Sequence, residues 1–177
     1  MKTLVGILMG SDSDLPVMQE AAKVLADSFG IGSEVHTLSA HRTPAAVVGY
    51  VTKSEAAGYK AFICGAGGAA HLAGVVAAHT SLPVIGVPLT SKTMGASGLD
   101  SLYSTVQMPP GIPVATVAIN GAKNAGILAA QIIGAGDDEV RAKVAAYKQK
   151  MAKDIEAKDA ELQEKGVKKY LEDKGIV

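Results

Sequence analysis

Five short apolar runs rich in valine and isoleucine alternate with stretches of helical periodicity. That alternation restricts the chain to βα units stacked around a parallel sheet. The expected strands are Leu4 to Met9, Glu34 to Leu38, Ala61 to Cys64, Val84 to Val87 and Val114 to Ile119. The expected helices run from Leu15 to Phe29, Pro44 to Ala57, Ala69 to Thr80 and Ser101 to Val106, with another after Asn124. Val17, Ala21, Val24, Leu25 and Phe29 fall near one face of the first of these, which marks its buried side. Pro44 suits a first helical turn, where its missing N–H costs nothing, and Thr43 can cap that helix.

The chain has 177 residues, enough for one well-filled α/β domain over residues 1–136. From Asp137 to Val177 its character changes. Charges crowd in, yet Val140, Val144, Tyr147, Met151 and Ile155 recur every three or four residues as a narrow apolar stripe. A helical extension over 137–177 follows, with Asp137 and Asp138 at its start, where negative charge suits the helix dipole. Such a stripe could pack on its own domain or dock on a neighbouring subunit, and the expectation favours an oligomer.

Lys and Arg together number 17, as do Asp and Glu, so the formal net charge is zero. Proteins that wrap nucleic acid draw most of their affinity from a basic surplus, so a single phosphate held at a local site is expected instead. The one cysteine, Cys64, precludes an internal disulfide and sits in an apolar run, where an inert buried thiol is expected. No apolar segment is long enough to span a bilayer, and a cytoplasmic protein is the expectation.

Polar and glycine residues are concentrated just after the expected strands. In order these loops are 10–14, 39–44, 65–71, 88–92 and 120–124. The carboxyl ends of parallel strands share one edge, so these distant loops should converge on a single cleft. Gly10-Ser11-Asp12-Ser13-Asp14 joins strand to helix, offering free N–H groups and small hydroxyls to an anion. Asp14 would repel a phosphate and is better suited to ribose hydroxyls; the plainer reading is that Ser13 or Asp14 caps the helix. In Ser39-Ala40-His41-Arg42-Thr43-Pro44, Arg42 offers a fork of donors and His41 can exchange a proton near neutrality. Gly65-Ala66-Gly67-Gly68-Ala69-Ala70 follows the third strand rather than the first, so it is no dinucleotide fingerprint. It suits instead a nest of backbone N–H groups for a small carboxylate or carbon dioxide, with His71 just beyond. His36 and His79 read as structural, the spacing holds no metal motif, and no Gly-x-Ser-x-Gly elbow marks a hydrolase.

Together the loops at 10–14, 39–44 and 65–72 resemble N5-carboxyaminoimidazole ribonucleotide mutase. So do Leu82-Pro83-Val84, Gly86-Val87-Pro88, Asp100-Ser101-Leu102, Val106-Gln107-Met108-Pro109, and Asn124-Ala125 with Leu128-Ala129-Ala130-Gln131-Ile132. The resemblance implies a flavodoxin-like three-layer α/β/α sandwich with a five-stranded parallel sheet, assembled as an octamer. It also implies a cofactor-free, metal-free shift of a carboxyl group from N5 to C4 of an aminoimidazole ribonucleotide in purine biosynthesis. Ser11, Ser13 and Arg42 would bind the phosphate, Asp14 the ribose, and His41 would transfer the proton. Gly67, Gly68, Ala69 and Ala70 would hold the migrating carbon dioxide with His71 nearby, and Ser39 and Ala40 complete the substrate loop.

Three departures stand out. Ala73 replaces the usual proline after His71-Leu72, the stretch 91–100 is slightly longer, and the loop 119–124 is shorter. They bear on fine specificity more than on reaction class. A related carboxylase that uses free carbon dioxide carries a lysine where Arg42 stands and lacks the double-glycine turn. A non-catalytic nucleotide-binding module would need no histidine beside the arginine.

Overall fold

The structure is a computed structural model and describes residues 2–91 and 97–176. The strands are β1 (Thr3–Met9), β2 (Gly32–Thr37), β3 (Ala61–Gly67), β4 (Val84–Leu89) and β5 (Ala115–Thr116). They form one parallel sheet in the order β2-β1-β3-β4-β5. The chain runs outward from β1 to β2 and then returns to the other side for β3. Strand order therefore reverses between β1 and β3, the place where open α/β sheets leave a crevice.

Successive side chains of β1 enter opposite cores, as a strand buried on both faces requires. Val5, Ile7 and Met9 join one cluster with α1 (Leu15–Val24), its π-helical continuation Leu25–Phe29, and α5 (Ala122–Gly134). Leu8 joins the other, with α2 (Pro44–Ala56) and α3 (Leu72–Ala77). Beside α3 lies α4 (Leu99–Val106): a Cβ built on Gly86 would run into Thr105 and approach Ala73. Gly6 serves a similar close approach, since a Cβ there would lie 2.7 Å from the Phe62 ring. The three-layer sandwich implied by the family resemblance is the observed fold.

Several boundaries differ from expectation. Met9 pairs with Gly65, yet β3 continues through Gly67, opposite Leu89, so β3 and β4 reach further toward the cleft than expected. Glycine carries no side-chain signal of a strand, which is why Gly65 to Gly67 looked like loop. The expected strand Val114 to Ile119 is reduced to two paired residues, Ala115 and Thr116. Its neighbour β4 contains Pro88, which has no N–H for a ladder, and the chain beyond is held by Asn120 N donating to Pro88 O at 2.8 Å. The helix expected from Ala69 to Thr80 spans only Leu72 to Ala77, because residues 67–70 are spent on a turn through Gly68 at φ 62°.

The extension forms α6 (Asp138–Lys165) and α7 (Val167–Asp173). Asp137 caps α6 by accepting from Val140 N at 3.1 Å. The apolar stripe divides. Val140 and Val144 are buried and Tyr147 meets Phe29 with ring centroids 5.4 Å apart, whereas Met151 is 45% and Ile155 63% exposed. The first half thus packs on its own domain. Lys165 pairs with Asp173 at 2.7 Å and Lys174 with Glu161 at 3.0 Å, folding α7 back on the end of α6. No helix among the described residues is long and apolar enough to cross a membrane.

Candidate active site

At the end of β1 the chain makes a single 3-10 turn, Asp12–Asp14, before α1 begins. Ser11 caps that turn by accepting from Ser13 N at 3.3 Å, and Ser13 Oγ donates to Ser11 Oγ at 2.9 Å. Neither Ser13 nor Asp14 makes a side-chain capping bond to α1. Asp14 stands at the start of α1 with no capping bond from its side chain. Burial, above all, pushes its carboxyl above the usual carboxylate range; a backbone hydrogen bond from Ser11 opposes this, Asp12 adds to it, and Arg42 pulls against it. A half-buried carboxylate that makes no side-chain cap suits neutral hydroxyl donors.

The loop after β2 is closed by one threonine. Thr43 N and Oγ1 both donate to Ser39 O, at 2.8 and 3.1 Å, and Ser39 N donates back to Thr43 Oγ1 at 3.0 Å. The expected helix cap at Thr43 is not made; its hydroxyl staples the loop instead. The turn presents His41 and Arg42 at its tip. A guanidinium N–H of Arg42 donates to the carbonyl of Gly10, so the loop lies over the end of β1. His41 reaches one strand further, with its Nε2 2.8 Å from Nδ1 of His71.

Toward the end of β3, close packing explains the small residues. A Cβ on Gly65 would collide with Met18, and one on Gly67 would lie 3.2 Å from the Leu89 carbonyl oxygen. On the far side of the rim, Asn120 adopts φ 58° and ties the last two loops together. Its Oδ1 accepts from Thr90 N at 3.1 Å and its Nδ2 donates to Thr90 Oγ1 at 3.2 Å. The left-handed conformation is one that asparagine tolerates better than most residues.

These loops enclose one cleft of about 1030 Å³. Ser11, Ser13, Asp14, Ser39, Ala40, His41, Arg42, Gly67, Ala69 and His71 all line it. Gly68 and Ala70 are buried and do not. A side recess of about 290 Å³ opens between the first two loops beside Ser11, Ser39 and Arg42. Thr90, Ser91 and Asn120 also line the cleft, although the sequence offered only their position after strands and no reactive side chain. Lys92, expected in the fourth loop, lies outside the described residues. Cys64 is buried within β3, and burial pushes its thiol far above the range of a nucleophile. Serine hydroxyls, helix-start N–H groups and a guanidinium thus lie at the β1–β2 end of the cleft. A pair of imidazoles lies toward its middle.

The chain is similar to known proteins over nearly its whole length. A family model described as AIR carboxylase matches residues 4–154. The chain is 55% identical over 170 residues to N5-carboxyaminoimidazole ribonucleotide mutase of Thermotoga maritima, covering 96% of this chain and 98% of that one. It is 54% identical over 159 residues to the mutase of the same name from Mycobacterium tuberculosis, covering 90% of each. Among solved structures, the crystal structure of Treponema denticola PurE superposes with a TM-score of 0.81 at 35% identity, covering 91% of this chain and 99% of that one.

Proposed function

The chain belongs to the AIR carboxylase family, and on that premise we propose that it is an N5-carboxyaminoimidazole ribonucleotide mutase of purine biosynthesis. It moves the carboxyl group of its substrate from N5 to C4. The observation that carries this reading is the meeting of His41 and Arg42 with the serine loop and the glycine turn at a single cleft.

Ser11, Ser13 and Arg42 bind the phosphate, which is drawn by the helix-start N–H groups and the fixed positive charge. Arg42 exchanges its bond to the Gly10 carbonyl for phosphate oxygens. Asp14 accepts from the ribose hydroxyls. His41 gives a proton to N5, the carbamate C–N bond breaks, and its electron pair remains on nitrogen as carbon dioxide departs. C4 then attacks the carbon dioxide carbon, and the proton displaced from C4 returns to His41. The turn at residues 67–70, which meets the cleft through Gly67 and Ala69 with Gly68 and Ala70 shaping it from behind, keeps the carbon dioxide close, so recapture outruns escape. Ser39 and Ala40 form the floor of the phosphate loop. The exposed Met151 and Ile155 on α6 support an assembly of several copies, an octamer by resemblance, with the extension lying on a neighbouring subunit. The balanced charge and lone buried cysteine support a cytoplasmic location.

The test is an assay of the purified protein with two substrates. Formation of the 4-carboxylated ribonucleotide from the N5-carboxylated one, without added bicarbonate, is the expected result. Turnover only of unmodified aminoimidazole ribonucleotide plus bicarbonate would overturn the mutase reading in favour of a carboxylase.

A further inference from the structure

His41 Nε2 and His71 Nδ1 lie 2.8 Å apart, with ring planes at 85° and centroids 4.9 Å apart. That is hydrogen-bond distance, so one nitrogen carries a proton and the other offers a lone pair. With both rings charged, both facing nitrogens would carry protons and this hydrogen bond could not form. His71 is also firmly held. It follows the turn at residues 67–70, its N–H donates to Ala69 O at 2.9 Å, and its carbonyl accepts from Val75 N at 2.9 Å. Its ring makes no capping bond to α3.

We propose that His71 is a positioning residue that selects the working nitrogen of His41. It accepts the Nε2 proton of His41 on its own Nδ1, and so leaves Nδ1 of His41 as the atom that gives and takes the substrate proton. The proposal rests on the proton-transfer role assigned to His41 above.

Charged His41 carries N–H on both nitrogens, and only a neutral His71 with its proton on Nε2 can meet it as an acceptor. When Nδ1 has delivered its proton to N5 of the substrate, neutral His41 still holds Nε2–H. The bond to His71 therefore outlasts the transfer. Collecting the C4 proton on Nδ1 restores the starting state, with every proton accounted for. Working through Nε2 would instead break the imidazole pair in each turnover.

Two substitutions separate positioning from bulk. His71→Asn sets an amide oxygen about where Nδ1 stood, whereas His71→Leu fills the space without an acceptor; His71→Ala replaces the leucine variant should that not fold. With the N5-carboxylated ribonucleotide, the leucine variant is expected to lose about tenfold in kcat, the scale of one hydrogen bond to a charged group. Its alkaline limb of kcat should move to lower pH while KM changes little, and the asparagine variant should recover both. In the ligand-free wild type, long-range proton–nitrogen NMR correlations through the ring carbon-bound protons should show neutral His41 with its proton on Nε2, a tautomer that the asparagine variant keeps and the leucine variant loses. An unchanged pH profile in the leucine variant, equal losses in both variants, or a wild-type His41 with its neutral proton on Nδ1 would overturn the proposal. The NMR measurement needs no turnover, so a wild type inactive in the mutase assay would sink the function while leaving the imidazole pair to be judged separately.

Discussion

Asp14 sits where a carboxylate is costly: its burial outweighs the help of Arg42 and of the Ser11 backbone. Because its folded value is raised, the group stabilises the fold only while protonated, and that contribution is lost as pH rises through its folded value. An Asp14→Asn protein should therefore melt slightly higher than the wild type at pH 7. The difference should vanish below about pH 4, where both side chains are neutral. Thermal melting of the two proteins across pH 3–8 measures this, and a lower melting point at pH 7 would mean that the attraction of Arg42 and the Ser11 backbone outweighs burial. The same substitution should raise KM by about tenfold through loss of the ribose contact, since one charged hydrogen bond is at stake. Polar residues with an evident chemical purpose were the most legible part of the sequence. Ser11, Arg42 and His41 announce themselves by type, whereas Thr90 and Asn120 reach the same cleft through a backbone tie that no spacing reveals.

Among the elements, the contact between α1 and α5 depends on one glycine. At Gly126 a Cβ would lie 2.8 Å from the carbonyl oxygen of Ala21 and would also press on Val24. Helix propensity alone predicts that Gly126→Ala stabilises α5 by about 1 kcal/mol. Overpacking against rigid backbone costs about 1–3 kcal/mol and should win. Urea unfolding should show a net loss of stability, and a gain would mean that the two helices separate freely. Helix α1 was legible because its apolar stripe is continuous, and β1 because both of its faces are buried. The short β5 and the trimmed α3 were not. Proline in the neighbouring strand and glycines in a turn act through missing N–H and Cβ groups, which hydrophobic periodicity cannot register.

On the scale of the molecule, α6 carries its stripe past the edge of its own core. Val144 is buried, yet Ile155 is 63% exposed on the same helix. If the outer half lies on another copy, sedimentation at micromolar concentration should give a species well above the monomer. The double change Met151→Lys with Ile155→Lys should reduce its size while leaving helical content intact. A clean wild-type monomer would contradict the assembly. The parallel sheet was legible because apolar runs alternating with helices dictate it, but which half of α6 stays at home depended on where Phe29 meets Tyr147, a contact between residues 118 positions apart. The central claim, that distant loops on one rim hold a ribonucleotide with its carboxyl group beside His41, is tested most directly by a crystal structure of the His41→Asn protein with the 4-carboxylated ribonucleotide bound. The phosphate should lie among Ser11, Ser13 and Arg42, with the carboxylate against the turn at residues 67–70 and close to position 41. A nucleotide bound in the reverse direction, or away from this cleft, would contradict it.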